Sequence, residues 1–141
     1  MKSMYITIAA VGVALASPAL FAHGNEPHAA PHGGQMGVAG AYHLELVVVR
    51  DSKEARDNPL VVYVTDPAGA KLSTVAAGGT ATILAGKVKS TASLAPDGDN
   101  RLKGKANYAS TPDMKVVVSL TLSGKAPVQA RFTPLAKSNE H

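Results

Sequence analysis

Residues 42–50 read YHLELVVVR and residues 115–123 read KVVVSLTLS. In the first, Leu44, Leu46 and Val48 alternate with His43, Glu45, Val47 and Val49. In the second, Val116, Val118, Leu120 and Leu122 occupy every other position. A period of two puts one set of side chains on one face of an extended chain, so each stretch predicts a strand with one core-facing side. Working outward, the polar run 51–59 makes a turn and residues 60–65 give a second strand. That strand stops at Asp66-Pro67-Ala68-Gly69, a sequence rich in turn formers. After a weak segment at 72–75, residues 80–85 and 88–95 flank Gly86-Lys87, a two-residue hairpin connection. Residues 96–100 (PDGDN) turn the chain into a strand over 101–105. Gly124-Lys125 leads into 128–133, with Val128, Ala130 and Phe132 inward.

Seven or eight short strands at this spacing, with no sustained helical period, predict an all-β fold. The expected architecture is a single antiparallel immunoglobulin-like β-sandwich over residues 41–135, followed by a disordered tail at 136–141. A chain of 141 residues has room for one such domain. With no Cys, it holds no disulfide, no thiolate metal site and no thiol nucleophile. The net charge of +4 is spread along the chain, and four Tyr and two Phe make no stacking platform, so nucleic acid is excluded as a partner.

Residues 1–22, MKSMYITIAAVGVALASPALFA, place one Lys before an apolar run that Ser17 and Pro18 end. This is the pattern of a secretory signal peptide, and the run is shorter than the ~20 apolar residues a membrane span needs. Cleavage after Ala22 would leave His23 as the first residue; cleavage after Ala19 is the competing choice. The expected product is a soluble protein of the bacterial periplasm, with no membrane attachment once the leader is gone.

Residues 23–40, HGNEPHAAPHGGQMGVAG, carry three His, one Met, two Pro and five Gly without hydrophobic periodicity. Such a stretch buries too little apolar surface to offset its ordering entropy, which predicts a flexible arm. Four of the five His, namely His23, His28, His32 and His43, fall within 21 positions, and Met36 lies between the last two. Imidazole binds Cu(II), Zn(II) and Ni(II), and thioether sulfur selects soft Cu(I). A His and Met set in an exported chain without Cys therefore points to copper, with zinc, nickel and silver as further candidates. A free amine and ring nitrogen on His23 would chelate one ion, and His43, held on a strand beside Glu45, would anchor the arm. Metal affinity should rise with pH through about 6.5, where imidazole loses its proton.

Plainer readings of the same residues stand alongside. A His-rich, Gly-rich stretch serves as a soluble spacer, His43 as a surface residue bonded to Glu45, and Met36 as a gap filler. Catalysis finds no support. No Ser or Thr stands with a positioned His and acid, Gly78-Gly79 lacks the Lys of a phosphate loop, and Asp97 and Asp99 fit a turn without the downstream Glu of a calcium loop.

The runs PHGGQM (31–36), YHLEL (42–46), VYVTDPAGAKL (62–72) and LAPDGDNRLKG (94–104) carry a family likeness. Together they resemble small periplasmic metal-binding proteins of bacterial heavy-metal resistance systems. They are also similar to the N-terminal heavy-metal-binding domain on some periplasmic adaptor subunits of metal-efflux pumps. The His-Gly-Gly and His-x-Glu portions are the specific ones. The resemblance implies a β-sandwich that buffers copper or a related ion, or hands it to an efflux component, with matching positions at His32, His43 and Glu45. His28, His23 and Met36 join the ligand set on ligand chemistry alone. The chain lacks the helical hairpin and barrel domains of an adaptor, so a free-standing protein is expected. From a different class comes an exported structural or protein-interaction module, capturing a partner along a strand edge, with incidental metal binding.

Overall fold

The computed structural model describes residues 30–137; the expected signal peptide, His23, His28 and the last four residues lie outside that range. Eight strands form, β1 (Gln35–Ala39), β2 (Tyr42–Val48), β3 (Arg56–Thr65), β4 (Gly78–Ala85), β5 (Val88–Pro96), β6 (Arg101–Tyr108), β7 (Lys115–Thr121) and β8 (Val128–Phe132). All pairings are antiparallel, in the order β1-β2-β3-β6-β5-β4-β7-β8, and no helix occurs among the described residues. The expected all-β fold is the one observed.

The order contains Greek-key connections. The meander β4-β5-β6 is bracketed by β3, which lies beside β6, and β7, which lies beside β4. Strand β5 passes from one half of the sheet to the other: it pairs with β4 along most of its length, and Ala95 and Pro96 pair with Lys103 and Leu102 of β6. At that crossing, a Cβ on Gly104 would sit 2.5 Å from the Ser93 carbonyl oxygen, so only glycine lets the two strands approach. The two ends of the sheet also meet. The Phe132 ring of β8 lies where a Cβ on Gly37 of β1 would be, and the Thr133 N–H donates to Gln35 Oε1 at 2.8 Å. The sheet thereby closes on itself, and each end strand is covered by the other.

The alternating residues account for the interior. Leu44, Leu46 and Val48 of β2, Leu60, Val62 and Val64 of β3, and Val116, Val118 and Leu120 of β7 are buried in one core with Ile83, Leu102 and Phe132. Each fully buried aliphatic side chain contributes about 1.5–3 kcal/mol, and these residues hold the fold without any covalent staple. Tyr108 fixes one end: its hydroxyl donates to the Pro59 carbonyl and accepts from the Val49 N–H at 3.0 Å.

Three boundaries differ from expectation by three residues or more. Residues 35–39, placed in the flexible arm, form β1; the glycine that hid the pattern, Gly37, is required by the ring of Phe132. Strand β3 starts four residues before Leu60, at Arg56, and includes Pro59. Pairing with β2 ends at Leu60, so the proline falls where β3 has only β6 beside it, a place a strand tolerates one. Strand β6 runs on to Tyr108, continuing the inward set Leu102, Ala106 and Tyr108.

Candidate functional site

The outward positions of β1, β2, β3 and β6 align into cross-strand rows. One row runs Met36, Glu45, Tyr63 and Arg101. The next places Val38 beside His43 and Thr65. His43 and Glu45 therefore share a face, as the period-two pattern implies, and Met36 is the diagonal neighbour of His43. Such diagonal pairs lie roughly 7–8 Å apart, within reach of long side chains.

Over this face folds the stretch that carries the His-Gly-Gly sequence. Residues 30–33 make a turn closed by the Gly33 N–H donating to the Ala30 carbonyl at 3.1 Å, with Pro31 at its first central position. Gly33 takes φ +75°, a left-handed conformation that glycine adopts at no steric cost. Gly34 then passes so close to β2 that a Cβ would collide with the Leu46 carbonyl oxygen. The two glycines have separate jobs: one turns the chain and the other lets it lie against the sheet.

This turn encloses Glu45. The backbone N–H groups of His32 and Gly34 both donate to Glu45 Oε2 at 2.9 Å, and His32 Nδ1 lies 2.8 Å from Oε1. Successive N–H groups around a left-handed residue make a concave anion cradle, here filled by the protein's own carboxylate. The Glu45 side chain is only 3% exposed, and an uncompensated charge there would cost several kcal/mol. Three hydrogen bonds satisfy it. A carboxylate only accepts, so the hydrogen of this bond sits on Nδ1, and in that tautomer Nε2 is the ring's acceptor. The flat face of that ring lies on Tyr63, with centroids 3.6 Å apart and planes within 2°. Tyr63 in turn lies beside the Arg101 guanidinium, which is held by Asp97 at 2.9 Å.

A cleft of about 480 Å³ opens along this face, lined among others by His32, Met36, His43, Tyr63, Pro67 and Lys71. Part of its lining comes from the predicted 66–69 turn, where Asp66 Oδ1 accepts from the N–H groups of Ala68 and Ala70. The His32 side chain is 45% exposed, open enough for an ion to reach it. Four of the six sequence candidates, His32, Met36, His43 and Glu45, thus line one cleft, although they come from a loop and two strands. The oxygens of Glu45 are engaged with residues 32–34. His28 and His23 lie outside the described residues. Sequence reasoning missed Tyr63. Its outward parity between Val62 and Val64 was readable, but not its position in the row with Glu45.

Among the described residues, no group of three or more His, Asp or Glu side chains converges as a metal cluster. No helix among them is long and apolar enough to cross a membrane. Comparison with known proteins returns no matching family model, no matching curated protein and no matching solved structure. The likeness to metal-resistance proteins rests on the quoted runs alone.

Proposed function

We propose that this chain is a periplasmic metal-binding protein, copper first, that sequesters the ion or passes it to an efflux component and performs no catalysis. One observation carries the reading. The buried Glu45 holds His32 by Nδ1, and a hydrogen bond from the non-ligating ring nitrogen to a carboxylate is what orients most metal-binding imidazoles. His43 and Met36 line the same cleft, which gives a donor set of two imidazoles and one thioether suited to copper. In this reading the ion is cargo. His28 stands four residues before His32, within about 13–14 Å of chain reach, and His23 nine before it, within about 30–32 Å, so both join this reading as auxiliary ligands.

The other reading, capture of a partner strand along a sheet edge, has weaker support. Strands β1 and β8 meet each other through Gln35, Gly37, Phe132 and Thr133 and offer little free template there.

The test is a competition titration of the exported, leader-free protein with Cu(I), Cu(II), Zn(II), Ni(II) and Ag(I). Binding of at least one ion should fall by about 10-fold or more in the His32→Ala/His43→Ala protein. Equal binding of every ion by the parent and this variant would remove the site.

A further inference from the structure

We infer that the cleft selects a soft monovalent ion, Cu(I) or Ag(I), over Zn(II) and Ni(II), with Met36 as the residue that sets this preference. The inference rests on the metal-binding reading above and narrows it to a chemical class.

Four observations point the same way. First, the one carboxylate in the site is spent: Glu45 Oε1 bonds to His32 Nδ1 and Oε2 accepts two backbone N–H groups. A harder divalent ion would have to displace the loop to use it. Second, the described residues of the cleft supply two imidazoles, His32 and His43, short of the four donors that a structural zinc site takes. Third, the residue directly across from Glu45 in the β1–β2 register is Met36, which lines the cleft with His32 and His43. Thioether sulfur favours Cu(I) and adds little for zinc or nickel. Fourth, Lys71 also lines the cleft, and its charge offsets part of the attraction of the Glu45 carboxylate, an attraction twice as strong for a divalent ion as for a monovalent one.

A two- or three-coordinate ion in an open cleft also suits transfer. A donor from an incoming partner adds to the ion, one of the three protein donors leaves, and the oxidation state is unchanged throughout. Glu45 and Tyr63 act as positioning residues, holding the His32 ring by its edge and its face.

The experiment compares the parent with Met36→Leu, a swap that roughly conserves volume. Cu(I) affinity is read anaerobically against a chromophoric Cu(I) chelator, and Zn(II) affinity against a zinc chelator. The expected result is a loss of about 10-fold or more for Cu(I), with Zn(II) weak in both proteins and unchanged between them. On the parent protein, an Ag(I) titration followed by methionine methyl NMR should shift Met36 and leave the fully buried Met114 unmoved. This second measurement does not depend on the variant folding. Zn(II) binding tighter than Cu(I), or a Met36 methyl that ignores Ag(I), overturns the soft-ion inference while metal binding stands. Binding of no ion at all overturns both.

Discussion

His32 Nδ1 and Glu45 Oε1 lie 2.8 Å apart, joining a turn to a strand 13 residues further along the chain. The contact is structural and chemical together. It satisfies a carboxylate buried on the outward face of β2, and it fixes which ring nitrogen of His32 stays available.

Replacing Glu45 by Gln should separate these two effects. The amide keeps the shape but turns one acceptor into a donor facing Nδ1, so His32 would reverse its tautomer and protonate Nε2. Metal affinity should fall about 10–100-fold. Stability should drop by ~1–3 kcal/mol as the cradle loses its charge-assisted bonds, measured by urea unfolding.

Gly34→Ala and Gly33→Ala should differ in kind. At position 34 the new methyl meets the Leu46 carbonyl, so the turn must lift from β2 and the His32–Glu45 contact breaks. At position 33 nothing lies within 4 Å of the methyl, and only the φ of +75° is strained, at roughly 1–2 kcal/mol. Metal affinity should therefore collapse in the first variant and persist in the second, as read by the same titration.

Tyr63→Ala removes the surface beneath the His32 ring. A stacked pair of this kind contributes about 0.5–1.5 kcal/mol. The expected outcome is a several-fold weaker ion affinity with the turn still docked, checked by backbone amide shifts of residues 32–34.

Tyr108 predicts an alkaline limit. Burial pushes its phenol above the ordinary 10.0, opposed in part by the Val49 N–H. Because the folded value lies above the unfolded one, this contribution is complete below about pH 10 and is lost as pH climbs through the folded pKa. Tyr108→Phe should be ~1–3 kcal/mol less stable at neutral pH, since the Pro59 carbonyl and the Val49 N–H lose their partner. Its stability should also fall less steeply above pH 10 than the parent's, measured as denaturation midpoints across pH.

The strands with apolar alternation, β2, β7 and β8, could be read from sequence because a half-buried sheet imposes a period of two on its own residues, and β4 and β5 from the Gly86-Lys87 turn between them. Strand β1 could not. QMGVA looks like spacer, and its strand character comes from partners far along the chain, Phe132 over Gly37 and Thr133 on Gln35. The site divides in the same way. His43 beside Glu45 follows from parity within one strand. That His32 reaches back to Glu45, and that Tyr63 lies beneath it, depends on the β2–β3 register and on a turn whose two glycines make sense only against the Leu46 carbonyl. The glycines were visible as a motif, but their separate roles required the sheet.

The most direct test of the account is a long-range proton–nitrogen correlation spectrum of the imidazoles, recorded on the leader-free protein near pH 7.5 with and without one equivalent of Ag(I). His32 should begin as the Nδ1–H tautomer, and its Nε2 signal should move on ion binding while the proton stays on Nδ1, hydrogen-bonded to Glu45. A His32 ring protonated at Nε2 in the free protein, or one whose signals do not move at saturating ion, would contradict it.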